Sequence, residues 1–113
     1  MTDTITREEL KRKMEAGEGF VLIDVLSPES YGREHLPGAI SLPLAQIGAA
    51  STAAIRKDNE VVVYCGSFLC QASPTAAAKL RELGFTRVLD FEGGLADWKE
   101  AGYPMERAEP AAR

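Results

Sequence analysis

The residues of this chain best equipped for covalent chemistry are Cys65 and Cys70, its only two cysteines. They frame the stretch Cys65-Gly66-Ser67-Phe68-Leu69-Cys70-Gln71. A thiol reacts as the thiolate, and a thiolate is favoured where backbone N–H groups and the positive end of a helix dipole converge. The flanking sequence sets up such a place. Residues 61–64, VVVY, form an apolar, β-branched run expected as a strand covered on both faces. Ser73 then reads as an N-cap and Pro74 as the first helical residue. Ala76, Ala77, Ala78, Leu80 and Leu83 carry the helix, and Gly84 stops it. Cys65 therefore falls between a strand's end and a helix's start, where its thiol is expected moderately below the free value of ~8.5. The plain alternative is a core cysteine, because Cys is among the most buried residue types.

Two thiols and the single histidine, His35, do not make a closed zinc site, which usually takes four ligands, so no metal is expected. The two thiols are not spaced C-x-x-C, which argues against a thioredoxin-type redox centre. A disulfide across so short a loop would add little stability. The 113 residues predict one domain, taken as 1–105, with 106–113 as a flexible tail. The net charge of -4 argues against nucleic acid or anionic membranes as partners. No apolar run approaches the ~18 residues of a membrane span, and the first residues lack an apolar signal segment. A cytoplasmic protein is the resulting expectation.

Around the cysteines the chain alternates strands and helices. Thr6-Arg7-Glu8-Glu9 fits a capping box, followed by a helix with Leu10 and Met14 on one face and Gly17 at its end. Residues 20–25 are a nearly continuous apolar run, read as a buried strand. Pro28 opens a short helix that fails near Leu36-Pro37-Gly38. Residues 39–42 are short and extended. Residues 44–57 are alanine-rich and predicted helical, with a break at Gly48. Residues 87–91 make a fourth strand, Gly93-Gly94 a turn, and Leu95, Trp98 and Ala101 one face of a last helix. This pattern predicts an α/β fold with a central, mostly parallel sheet and helices on both faces. In such folds ligands bind at the carboxyl ends of the strands, where Cys65 lies.

Three motifs carry a resemblance that runs nearly the whole length. Ile23-Asp24-Val25-Leu26-Ser27-Pro28-Glu29-Ser30-Tyr31 with His35-Leu36-Pro37-Gly38-Ala39-Ile40 is one. Val62-Val63-Tyr64-Cys65 leading into the helix up to Gly84 is the second. Gly93-Gly94-Leu95-Ala96-Asp97-Trp98 with Gly102-Tyr103-Pro104 is the third. Together they resemble a single rhodanese-like domain. That resemblance implies a rhodanese-type sulfurtransferase. Cys65 would take a sulfane sulfur from a small-molecule or protein donor, hold it as a persulfide, and pass it to a thiol or other nucleophilic acceptor. No metal or organic cofactor is implied. N–H groups of residues 66–71 would cradle the outer sulfur.

The chain also departs from the family pattern. The family's loop is usually a cysteine, four residues and an arginine; here Cys70 stands at the arginine position. No Lys or Arg lies between Cys65 and Lys79. Thiosulfate, a dianion, is therefore expected to be a poor donor. Cys70 has three readings: a packing residue, a thiol that resolves the persulfide into a Cys65–Cys70 disulfide, or a second sulfur carrier. His35 and Trp98 read as structural. Asp24, Gly93 and Gly94 are expected to support the pocket, and Phe68 and Leu69 to form an exposed apolar lip. Competing functions are a non-catalytic rhodanese-like module that binds a protein, a Cys65/Cys70 thiol switch, and a related phosphatase or arsenate reductase. The last usually has a longer loop with an arginine for the oxyanion.

Overall fold

The computed structural model describes residues 3–107. Four strands, β1 (Val21–Asp24), β2 (Ile40–Ser41), β3 (Glu60–Tyr64) and β4 (Arg87–Phe91), pair in the order β2-β1-β3-β4. Every pair within this sheet is parallel. Val61, Val62, Val63 and Tyr64 are all fully buried, as their apolar run requires of a central strand covered on both faces. Helices α1 (Arg7–Glu15), α2 (Pro28–Arg33), α3 (Ala72–Glu82) and α4 (Gly94–Glu100) complete the fold. The expected α/β architecture is the one observed.

The two-residue period of β3 divides the core. Val61, Val63 and the next odd residue, Cys65, pack with Ala76, Ala77 and Leu80 of α3. Val62 and Tyr64 pack on the other face with Leu10 of α1 and Trp98 of α4. The same alternation therefore decides which helix Cys65 meets. Trp98 lies in this second core, edge-on to Phe91 and Tyr103, with its indole N–H donating to the Pro104 carbonyl at 2.8 Å.

Local signals explain the ends of α1. Thr6 Oγ1 accepts the Glu9 N–H at 3.1 Å, and Glu9 Oε1 accepts the Thr6 N–H at 2.9 Å. Gly17 then adopts φ 68°, a left-handed conformation that ends the helix.

Three expectations need correction. Residues 44–57 form no α-helix; a single 3-10 turn, Leu44–Gln46, is followed by further turns. Hydroxyl groups take the backbone there: Ser51 Oγ donates to Gln46 O at 2.7 Å, and Thr52 Oγ1 donates to Gly48 O at 2.8 Å. The expected tail began at 106, yet Glu106 pairs with His35 through two backbone hydrogen bonds of 2.9 Å. The rest of that tail, 108–113, lies outside the described residues. Gly93 and Gly94 are the N-cap and first residue of α4, not a separate turn. Among the described residues no helix is long and apolar enough to cross a membrane.

Candidate active site at the end of the third strand

The sheet register aligns three strand ends. Asp24 lies opposite Tyr64, and Tyr64 opposite Phe91, so Cys65 is one residue beyond a common edge. Helix α4 docks on this point through backbone. The Leu95 N–H donates to Cys65 O at 3.0 Å, and the Ala96 N–H to Gly66 O at 2.9 Å. Gly94 permits the approach. Its φ is +60°, and a Cβ there would collide with the Cys65 carbonyl.

The loop 65–71 closes on itself before α3 begins. The Cys70 N–H donates to Ser67 O at 3.1 Å, and the Leu69 N–H to Ser67 Oγ at 3.3 Å. Those two donors of the expected cradle are thereby spent. Phe68 is 67% exposed and Leu69 90%, which forms the apolar lip. A cavity of about 270 Å³ runs beside the loop, walled by Phe68, Glu92, Gly93, Ile5 and Arg7. Neither thiol lines it, so the chemistry lies in the loop itself. The Arg7 guanidinium is held by Asp97 Oδ1 at 3.0 Å and Glu100 Oε1 at 3.1 Å.

Both cysteines are free, with Cys65 buried and Cys70 half-buried. Their side chains are in hydrogen-bonding contact. The remaining donors are divided between them: the Ser73 N–H serves Cys65, while those of Gly66 and Ala72 serve Cys70. Burial pushes the Cys65 thiol up, and its contact with Cys70 adds to the rise. Burial also opposes ionisation of Cys70, but the bonds from Cys65, Gly66 and Ala72 outweigh it and hold that thiol below the ordinary value. The expectation of an acidic Cys65 is thus corrected. The helix terminus does favour an anion here, but the half-buried thiol takes the benefit.

The start of α3 differs from expectation in a way that matters. Gln71 is the N-cap, and Ser73 lies inside the first turn. Ser73 is fully buried, and the Cys65 thiol donates to its hydroxyl at 3.4 Å. Sequence reading saw a capping residue where the fold places a partner for the nucleophile. It also missed Asp90, a fully buried carboxyl on β4. An acidic residue inside an otherwise apolar strand was the available signal.

Asp24 and His35 hold the frame around the site. Asp24 Oδ1 accepts the Leu26 N–H at 2.9 Å, and Oδ2 accepts the Tyr64 hydroxyl at 2.8 Å. Burial pushes this carboxyl up despite both bonds. His35 stacks on Tyr31 with ring centroids 3.8 Å apart, and its Nδ1 lies 2.8 Å from Tyr31 O.

Comparison with known proteins adds an independent line. The family model described as "Rhodanese-like domain" matches residues 6–101. The chain is 38% identical over 108 residues to an HTH-type transcriptional regulator of Mycobacterium tuberculosis, covering 96% of this chain and 46% of that protein. It is 32% identical over 109 residues to a sulfurtransferase of Allochromatium vinosum, covering 96% of this chain and 99% of the relative. The crystal structure of the BH2092 protein from Bacillus halodurans superposes with a TM-score of 0.90 at 30% identity, over 95% of this chain and 78% of that one.

Proposed function

Because this chain belongs to the rhodanese-like domain family, we propose that it is a sulfurtransferase that carries a sulfane sulfur as a persulfide on Cys65. The observation that carries this reading is the placement of Cys65. It sits one residue past β3, its thiol meets the first turn of α3, and the Ser73 N–H is directed at its sulfur. The similarity to the Allochromatium vinosum sulfurtransferase, which the chain spans almost end to end, supports the same chemistry.

In the forward step the Cys65 thiolate attacks the outer sulfur of a donor. A new S–S bond forms, and the donor's thiolate or sulfite leaves with the old bonding pair. In the second step a nucleophilic acceptor takes that outer sulfur and Cys65 leaves as the thiolate. Sulfur moves without a change in overall oxidation state, so no organic cofactor or metal enters. The loop offers N–H groups but no cation, and the next basic residue, Lys79, is committed to Leu44 O at 3.1 Å. A neutral or singly charged donor, or a protein docking on the Phe68–Leu69 lip, suits it better than thiosulfate. We place the reaction in the cytoplasm with neither nucleic acid nor membrane as partner.

The test is intact mass after incubation with thiosulfate and, separately, with a low-molecular-weight persulfide. One added sulfur should map to Cys65, and Cys65→Ser should abolish thiocyanate formation from cyanide. Undiminished turnover in that variant would reject the assignment.

A second reading is favoured by the Cys65–Cys70 contact and by the similarity to a transcriptional regulator. In it the two thiols are oxidised by a peroxide to a disulfide, and the fold serves as a switch. Titration of both thiols under peroxide, with and without reductant, separates this from sulfur transfer.

A further inference from the structure

Asp90 is a buried carboxyl that the proposed reaction leaves without a task. It lies on β4 opposite Val63, and strand alternation turns it with Val88 toward α3. Among the described residues neither of its oxygens has a hydrogen-bond partner. Buried polar groups are bonded in roughly 90% of cases or more, so an orphaned carboxyl needs a cause.

The groups around it are few. From α3 come the Ser73 hydroxyl and Arg81; from its own strand end comes Glu92; from the loop comes Cys70. The Arg81 guanidinium is taken up by Val88 O at 3.0 Å. On the outer edge the Asp90 backbone pairs with Asp3 O at 2.9 Å and the Ile5 N–H at 3.1 Å. Ser73 has the complementary need. Its Oγ accepts from Cys65, which leaves its own proton to give. Its hydroxyl stands close enough to Asp90 to favour the carboxylate, although burial pushes that carboxyl up more strongly.

We propose that Asp90 is a positioning residue that exchanges a proton with Cys65 through the Ser73 hydroxyl. As Cys65 ionises, its S–H proton passes to Ser73 Oγ while the Ser73 proton passes to the Asp90 carboxylate. One S–H bond breaks, one carboxyl O–H bond forms, and Ser73 is unchanged. When an acceptor removes the outer sulfur, Cys65 keeps the bonding pair and the proton returns along the same path. The exchange leaves the net charge of the buried cluster unchanged, which avoids the cost of bringing a new charge into the core. The role rests on Cys65 as the sulfur-bearing thiol.

Cys70→Ala leaves Cys65 as the one cysteine, so iodoacetamide rates against pH report Cys65 alone. Adding Asp90→Asn or Ser73→Ala should slow alkylation near neutral pH by about tenfold or more and move the midpoint upward, with rates converging at high pH. A carboxylate that merely repels the thiolate has the opposite sign: Asp90→Asn would then move the midpoint down. An unchanged or lowered midpoint overturns the proposal. As a second readout, the Asp90 carboxyl-carbon resonance in Cys70→Ala should titrate at a different pH once Cys65 is alkylated; an unmoved midpoint also overturns it. Intact mass after persulfide treatment keeps the two readings apart. If Cys70→Ala takes up no sulfur, the sulfur-carrying reading fails; if it loads sulfur while Asp90→Asn leaves the pH profile unmoved, the role of Asp90 alone fails.

Discussion

The Tyr64 hydroxyl donates to Asp24 Oδ2 at 2.8 Å and accepts the Leu36 N–H at 3.0 Å. The residue immediately before Cys65 thus ties β3 to the end of β1 and to the segment that follows α2. Burial and the Asp24 charge together push the phenol far above its ordinary range, so it remains a donor at any working pH.

Tyr64→Phe should destabilise the fold by about 1–3 kcal/mol, because it leaves Asp24 Oδ2 and the Leu36 N–H buried without this partner. Urea unfolding measures the loss. The double variant with Asp24→Asn should lose less than the sum of the singles, since both changes remove one shared bond. A Tyr64→Phe protein as stable as the parent would rule the network out as a stabilising feature.

Cys70 should be the first thiol alkylated at neutral pH, by about tenfold over Cys65 for each unit that separates their titrations. It is half-buried and held below the ordinary thiol value, whereas Cys65 is buried and pushed up. Peptide mapping after brief iodoacetamide treatment shows the order. Cys70→Ala should then bring the Cys65 midpoint down, because it removes the neighbour that helps raise it.

Cys70→Arg should improve thiosulfate use relative to Cys70→Ala. A hydrogen bond to a charged group contributes ~1.5–3 kcal/mol, which corresponds to roughly 10- to 100-fold in kcat/KM where the guanidinium reaches the dianion. Salt should erode the gain. Equal values in the two variants, both folded, would show that the missing cation is not what limits this donor.

Asp90→Asn should raise stability at neutral pH. Burial lifts the folded-state carboxyl above its ordinary 3.8, so the native state binds this proton more tightly than the unfolded chain. The group's contribution therefore declines as pH rises from 3.8 through the folded value, and the full penalty is present at neutral pH. The advantage of the variant should shrink as pH falls into the ordinary carboxyl range. Denaturant unfolding across that range measures it, and a gain independent of pH would contradict the sign.

Patterns confined to a few neighbouring residues were enough to place the frame of this protein. The VVVY run, the capping box at Thr6 and the alternation of apolar stretches specify a parallel α/β sheet with Cys65 at a strand's carboxyl end. The apolar lip at Phe68 and Leu69 was legible in the same way, because a short loop cannot bury two such side chains. Residues 44–57 were misread because alanine content favours a helix only where hydroxyls do not take the backbone; Ser51 and Thr52 do. The character of the two thiols was decided by tertiary contacts. Desolvation depends on what covers a sulfur, and the odd-numbered face of β3 drives Cys65 under α3 while Cys70 stays half in water. Asp90 and Ser73 are 17 positions apart in sequence. Only the packing of α3 against β4 sets the serine hydroxyl between a buried thiol and a buried carboxyl, because burial and proximity across elements arise when the sheet and helices close on one another.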